Sequence, residues 1–231
     1  MTTPVPTSHT RTALTDRAGV VVNYRTGETI VLTGGALARW LGALEQSSAP
    51  APVMVRDSVV SWGTSEAPAR LEALAPPPLA WRMAAAAVLA ATLAVRTAGR
   101  PGSRFGRLRH LAELGGNLPL PTTAHARLAI RSVRWAARAF PARVACLEES
   151  TAASLLLALG GRGGAWRHGV ATDPIRLHAW ICDVHGLPVE EPEHTGDYTP
   201  INAPTDLERG TDAHSEHPAA RQARQPCDDQ P

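Results

Sequence analysis

The sequence predicts an α+β protein in which a β-hairpin and short helix precede a run of helices packed on a small antiparallel sheet. Three observations lead there. GVVVNYRTGETIVL (19–32) places β-branched residues on both sides of a turn centred on Gly27. Between 79 and 159, apolar residues recur three and four apart, the spacing of helices with one buried face. LHAWICDV (177–184) then alternates, with His178, Trp180, Cys182 and Val184 on one face and Leu177, Ala179, Ile181 and Asp183 on the other.

The elements follow in order. Residues 1–17 are polar and are expected to be disordered. The hairpin opens a small N-terminal region, 18–75, and GGALARWLGALE (34–45) continues it as a helix with Leu37, Trp40, Leu41 and Leu44 on one side. QSSAPAP (46–52) breaks the pattern, and VMVRDSVVSW (53–62) is a further strand candidate. Three prolines, 76–78, mark the boundary to a second region, 79–202. Helices are expected there from Leu79 to about Val95, over 103–115, and over 122–140, where Pro141 ends the last. A fourth spans roughly 144–159 and stops at Gly160 and Gly161. AWRHGVAT (165–172) and LHAWICDV are strands, and His185-Gly186 turns the chain into LPVEE (187–191), their expected partner. A polar tail, 203–231, is expected to be disordered.

Composition narrows the function. The 231 residues suffice for one or two domains. All 23 basic residues are arginine, yet the net charge is only +2 and the arginines are scattered, so the charge does not point to nucleic acid. Three cysteines, Cys146, Cys182 and Cys227, lack ligand-pair spacing, which argues against a disulfide framework or a zinc site and for a reducing cytoplasm. The N-terminus has no apolar segment of the signal-peptide kind, and MAAAAVLAATLAV (83–95) is shorter than the ~20 residues of a membrane span. No metal, no organic cofactor and no membrane partner are expected.

The residues that carry chemistry lie between 142 and 191. Cys146 stands at the start of a helix, His178 on a strand, and Glu190 and Glu191 at the end of the next segment. A thiol of pKa near ~8.5 attacks poorly until it ionises, and a helix N-terminus favours the thiolate. A histidine in reach accepts the proton and returns it to a leaving amine. A carboxylate on the far ring nitrogen fixes the tautomer. Read singly, each residue is ordinary: a small core cysteine, a histidine packed beside Trp180, a solvated acidic pair. Glu148 and Glu149 are expected to point away from the thiol, and Cys182 reads as packing.

Together these residues resemble a known family. CLEESTAASLLLALGG, GVATDPIRLHAW and GLPVEE look like the C-terminal domain of lasso-peptide B proteins, transglutaminase-like (papain-like) cysteine peptidases that remove the leader from a ribosomally made precursor. The pattern is carried by Cys146-Leu147, Thr151 to Leu159, Gly169-Val170, Pro174, His178-Ala179-Trp180, Gly186 to Val189 and an acid. It covers about 127–200, roughly a third of the chain. The resemblance implies Cys146 as nucleophile and His178 as base. Glu191 is the expected third member, with Glu190 as the alternative, because neighbouring strand positions face opposite sides and only one can reach His178. Asp183 is an outside candidate on the wrong strand face.

GVVVNYRTGETIVLTGGALARWL resembles the hairpin and first helix of the RiPP recognition element, a small winged-helix domain to which leader peptides add as an extra strand. The resemblance as a whole implies a cytoplasmic leader peptidase that works with a precursor peptide, a separate leader-recognition protein and a lasso cyclase. Two alternatives stand beside it: a leader-binding scaffold without chemistry, and transglutaminase-type acyl transfer from the same thioester.

Overall fold

Three runs rich in Val and Thr near the N-terminus pair into a sheet, because β-branched side chains fit a pleated surface. The computed structural model describes residues 9–15, 17–45, 52–54, 75–172 and 175–201. Strands β1 (Thr10–Leu14), β2 (Ala18–Asn23), β3 (Thr29–Thr33) and the two-residue β4 (Val53–Met54) form one sheet in the order β3-β2-β1-β4. Only the β1–β4 pairing is parallel. Helix α1 (Gly34–Glu45) lays Trp40, fully buried, against Val21 and Leu32 on one side of the sheet.

Two expectations change here. Residues 10–14 are not part of a disordered leader: they are the inner strand β1, paired along its length with β2. Its buried Thr10 and Thr12 hide a core-facing strand behind a polar alphabet. Of the strand expected over 53–62, β4 is the described part; the remainder lies outside the described residues, as do residues 1–8 and the tail from 202 on. Residues 55–74, where further helices of a winged-helix domain would fall, are outside them too.

The second region builds a helical layer on a small sheet. Helix α2 (Leu79–Thr97) follows the prolines, α3 (Arg104–Ala112) follows a 3₁₀ turn at Pro101–Ser103, and α4 (Thr123–Ala137) is capped by the Thr122 hydroxyl. Helix α5 (Cys146–Leu159) is central, packing against α2, α3 and α4. Ala85, Val88, Leu89, Ile130, Val133, Ala152, Ala153, Leu156 and Leu157 close the core, and small alanines let the helix axes approach. By length and composition α2 would be able to cross a membrane; in this fold its Ala85, Val88, Leu89 and Thr92 are buried inside the protein.

Strands β5 (Ala165–Thr172), β6 (Ile175–Cys182) and the short β7 (Thr199–Pro200) make the second sheet, order β6-β5-β7, all antiparallel. Among the described residues, one side of β6 is left open over most of its length. The strand expected over 187–191 does not form. A single bridge, Cys182 to Pro188, is all that pairs there, and Glu190 takes a left-handed φ of 55° that no strand accommodates.

The two regions share a core. Ala13, Val20, Val22 and Tyr24 of the first pack with Val170 and Ile201 of the second, and Phe105 of α3 lies against them. The Tyr24 hydroxyl and Nδ1 of His168 on β5 share a buried hydrogen bond of 2.9 Å. Burial, with a smaller contribution from nearby His178, holds the His168 imidazole down at about 4. An unfolded imidazole takes up its proton near ~6.5, so between those values the unfolded chain binds a proton that the folded chain refuses. Stability is therefore lost as pH falls from about 6.5 towards 4, and from this residue alone about 2 kcal/mol goes between pH 7 and pH 5. Urea unfolding at the two pH values reads this directly, and in His168→Gln the difference between them shrinks by about that amount.

Candidate active site

Helix α5 begins at the cysteine because Ala145 is extended (ψ 176°) and Glu148 folds back to accept from the Ala145 N–H at 3.1 Å. Arg96 of α2 holds the same carboxylate at 3.2 Å. Cys146 is thus the first residue of the helix, beside the open edge of β6. Burial alone would raise its thiol. A hydrogen bond with His178, the main-chain N–H of Ala179, the His178 charge and the N–H of Leu147 outweigh burial and hold it below the ordinary thiol value. One of the two main-chain donors belongs to the first helical turn and the other to the neighbouring strand.

His178 Nε2 lies 2.8 Å from Glu191 Oε2, which leaves Nδ1 for the thiol. Burial opposes the imidazolium, but its bonds to Cys146 and Glu191 and their charges raise it to about 9. The lowered thiol and the raised imidazole both favour the thiolate–imidazolium form of the pair. The ring stacks on Trp180, two residues on along the strand, at 5.8 Å between centroids and 14° between planes, and Tyr198 tilts against it at 5.3 Å.

The structure brings Glu191 to His178 and turns Glu190 away. The left-handed backbone at Glu190, rather than strand alternation, makes the two carboxylates diverge. Glu190 faces α4, where Arg127 and Arg131 meet it at 2.9 and 3.0 Å. Arg134, on the same stripe of α4, donates to the main-chain oxygen of Glu190 at 2.7 Å, to Glu149 at 2.8 Å and to Glu191 Oε1 at 3.4 Å. Glu149 therefore lines the site instead of pointing away; burial raises its carboxyl, with Arg134 opposing the rise and Glu191 adding to it. Arg134 was invisible as a site residue, although Arg127, Arg131 and Arg134 at helical spacing were the available signal. Nothing in the sequence pointed to Tyr198.

Asp183 serves the turn: its carboxylate accepts from the Thr123 hydroxyl and from the N–H groups of His185 and Leu187. Cys182 is buried in a small cluster with Trp180 and Ala165. Cys227 and Pro174 lie outside the described residues. Among the described residues no group of three His, Cys, Asp or Glu is placed to hold a metal. Cys146, His178 and Glu191 open on a cleft of about 260 Å³ that Arg134, Glu149, Thr195 and Tyr198 also line. The arrangement can supply a pre-ionised sulfur nucleophile, a proton carrier and a carboxylate that orients it.

Gly169, opposite His178 in the β5–β6 register, explains part of the motif in physical terms. A Cβ there would lie 2.6 Å from the Trp180 ring and 2.8 Å from the Thr199 oxygen. Only a glycine lets Trp180 lie flat beneath His178 with β7 alongside.

A family model described as Transglutaminase-like superfamily matches residues 85–203, just over half of the chain. The match begins inside α2 and so takes in the whole helical layer as well as the sheet. No curated protein and no solved structure matches the chain.

Alkylation of Cys146 by iodoacetamide, followed against pH, is expected to persist below the pKa of a free thiol, while an NMR titration of the His178 ring is expected to show loss of the imidazolium at about 9. Glu191→Gln removes the carboxylate that favours the imidazolium and moves that ring titration to lower pH; Glu190→Gln leaves it in place. Gly169→Ala overpacks the sheet, costs about 1–3 kcal/mol in urea unfolding, and slows alkylation by displacing Trp180.

Proposed function

The chain belongs to the transglutaminase-like superfamily, and from that premise we propose that it is a cysteine peptidase removing the leader from a ribosomally synthesised lasso precursor peptide. The observation that carries the chemistry is Cys146 at the first turn of α5, hydrogen-bonded to a His178 whose other nitrogen meets Glu191 at 2.8 Å. The leader assignment is supported by the motifs around Cys146, Gly169, His178 and Gly186.

The Cys146 thiolate attacks the carbonyl carbon at the leader–core junction. A C–S bond forms and the carbonyl π pair moves to oxygen, where N–H groups of the first turn of α5 without helical partners favour the charge. Collapse breaks the C–N bond, and the departing amine takes the proton from His178 Nδ1. A water, giving its proton to the same nitrogen, then attacks the thioester; the C–S bond breaks and the thiolate–imidazolium pair returns. Glu191 keeps Nε2 protonated and the ring in place throughout. The net change is one water consumed per cut.

On this reading the protein acts in the cytoplasm, where its thiol stays reduced. It takes the precursor with a separate leader-recognition protein and passes the core to a lasso cyclase. The first sheet suits a partial recognition element, since β3 is an edge strand to which a leader segment would add.

Intact-mass measurement of the cognate precursor after incubation tests the proposal. Wild type is expected to yield two fragments whose masses sum to precursor plus one water. Cys146→Ala yields none, and His178→Ala slows cleavage by about 10²- to 10⁴-fold. Loss of ammonia with no cut would mean acyl transfer instead, and intact precursor with folded, precursor-binding wild type would mean a scaffold.

A further inference from the structure

A second cleft, about 520 Å³ and twice the volume of the one at Cys146, lies between the β2–β3 turn and α3. Tyr24, buried and with its hydroxyl spent on His168, is among the residues that line it. Among the described residues, the other ionisable ones lining it, His9, Arg25, Arg107, Arg109 and His110, are all basic. The guanidinium of Arg109 is 5.5 Å from the Tyr24 ring centre, and that of Arg11 is 5.7 Å from it. Against these stands Glu113, 3.2 Å from Arg109 and half exposed. Arg107 adds a fixed charge: it donates to the main-chain oxygens of Val95, Arg96 and Arg100 and to Ser103. Those acceptors are neutral, so its positive charge remains while four of its five donors are used.

The form of the site selects the ligand. A compact anion such as phosphate needs donors converging on one point. Here Arg107 supplies field with four of its five donors already used, while Arg25 and His110 are exposed at the rim. That suits an extended chain carrying several spaced carboxylates. The wall is rigid, because Gly106 donates to the Arg25 oxygen and leaves no room for a side chain between hairpin and helix. It is also tied to the cysteine site: His168, under Tyr24, pairs in register with Ala179, the neighbour of His178.

We propose that this cleft binds an acidic stretch of the peptide substrate, remote from the bond that is cut. The inference rests on the reading of the protein as a peptidase and adds where and by what chemistry its substrate is held.

The test uses the full chain. Fluorescence anisotropy with a fluorescein-labelled peptide of alternating Gly and Glu is compared with its Gln counterpart, with inorganic phosphate as competitor. The Glu peptide is expected to bind the more tightly, with affinity falling as salt rises. Arg25→Glu with His110→Glu, both exposed, weakens it by about 10-fold or more, while thermal melting and the iodoacetamide rate at Cys146 stay unchanged. On the cognate precursor the same variant raises KM and leaves kcat intact. Equal binding of the two peptides, or no change in the charge-reversed variant, overturns the inference. So does displacement by phosphate without any peptide binding, which would make the cleft a small-anion site. Cysteine-dependent cleavage with unchanged KM sinks the cleft alone; charge-dependent peptide binding without any cleavage sinks the peptidase reading instead.

Discussion

The first turn of α5 must sit against the open edge of β6, and most of the molecule is arranged to keep it there. The Cys146 sulfur takes hydrogen bonds from Leu147 in the helix and Ala179 in the strand. Both donors are main-chain groups, so their position is fixed by the fold and not by a rotamer. The helix is held by apolar packing on several sides, with Leu156 and Leu157 in the core shared with α2, α4 and Ile181 of β6. A shift along the helix axis would carry the sulfur with it and break that packing at the same time.

Electrostatics sets the second requirement. Glu191 lies against the imidazolium, with Glu149 and Glu190 close by, and unit charges about 4 Å apart interact by about 4 kcal/mol at an effective dielectric of 20. Three carboxylates would repel one another and over-compensate the histidine. The α4 arginines divide them: Arg127 and Arg131 hold Glu190, and Arg134 bridges Glu149 and Glu191. Arg134 also holds the main chain of Glu190, the residue in the left-handed conformation. Backbone strain of this sort costs about 1–3 kcal/mol and persists only where neighbours over-determine it. Here ion pairs and a main-chain hydrogen bond do so, and the result is that consecutive glutamates serve different ends.

Much of this was legible in the chain, and the gaps have physical causes. Helices α2 to α5 follow from apolar spacing bounded by Pro and Gly, and the position of Cys146 follows from where that spacing starts. The faces of β6 follow from alternation, since its partner β5 is paired along its full length. The segment 187–191 misled because alternation carries no information on φ, and a left-handed glutamate looks like any other. β1 was missed because Thr is small enough to be buried while counting as polar. Arg134 and Glu149 escaped because their meeting joins α4 to α5, and no local pattern reports a contact between elements.

The core shared by the first sheet and the second region bears on how such chains can be recombined. Tyr24 and Val22 close the same apolar cluster as Val170 and Ile201, and the bond to His168 crosses that seam. A cut at the three prolines would separate partners in one interior and leave each half with an unfilled face. The N-terminal portion is therefore not a cassette to be exchanged at will between relatives. Any graft would have to carry its cluster residues with it, so the first sheet and the framework around Cys146 travel as a unit.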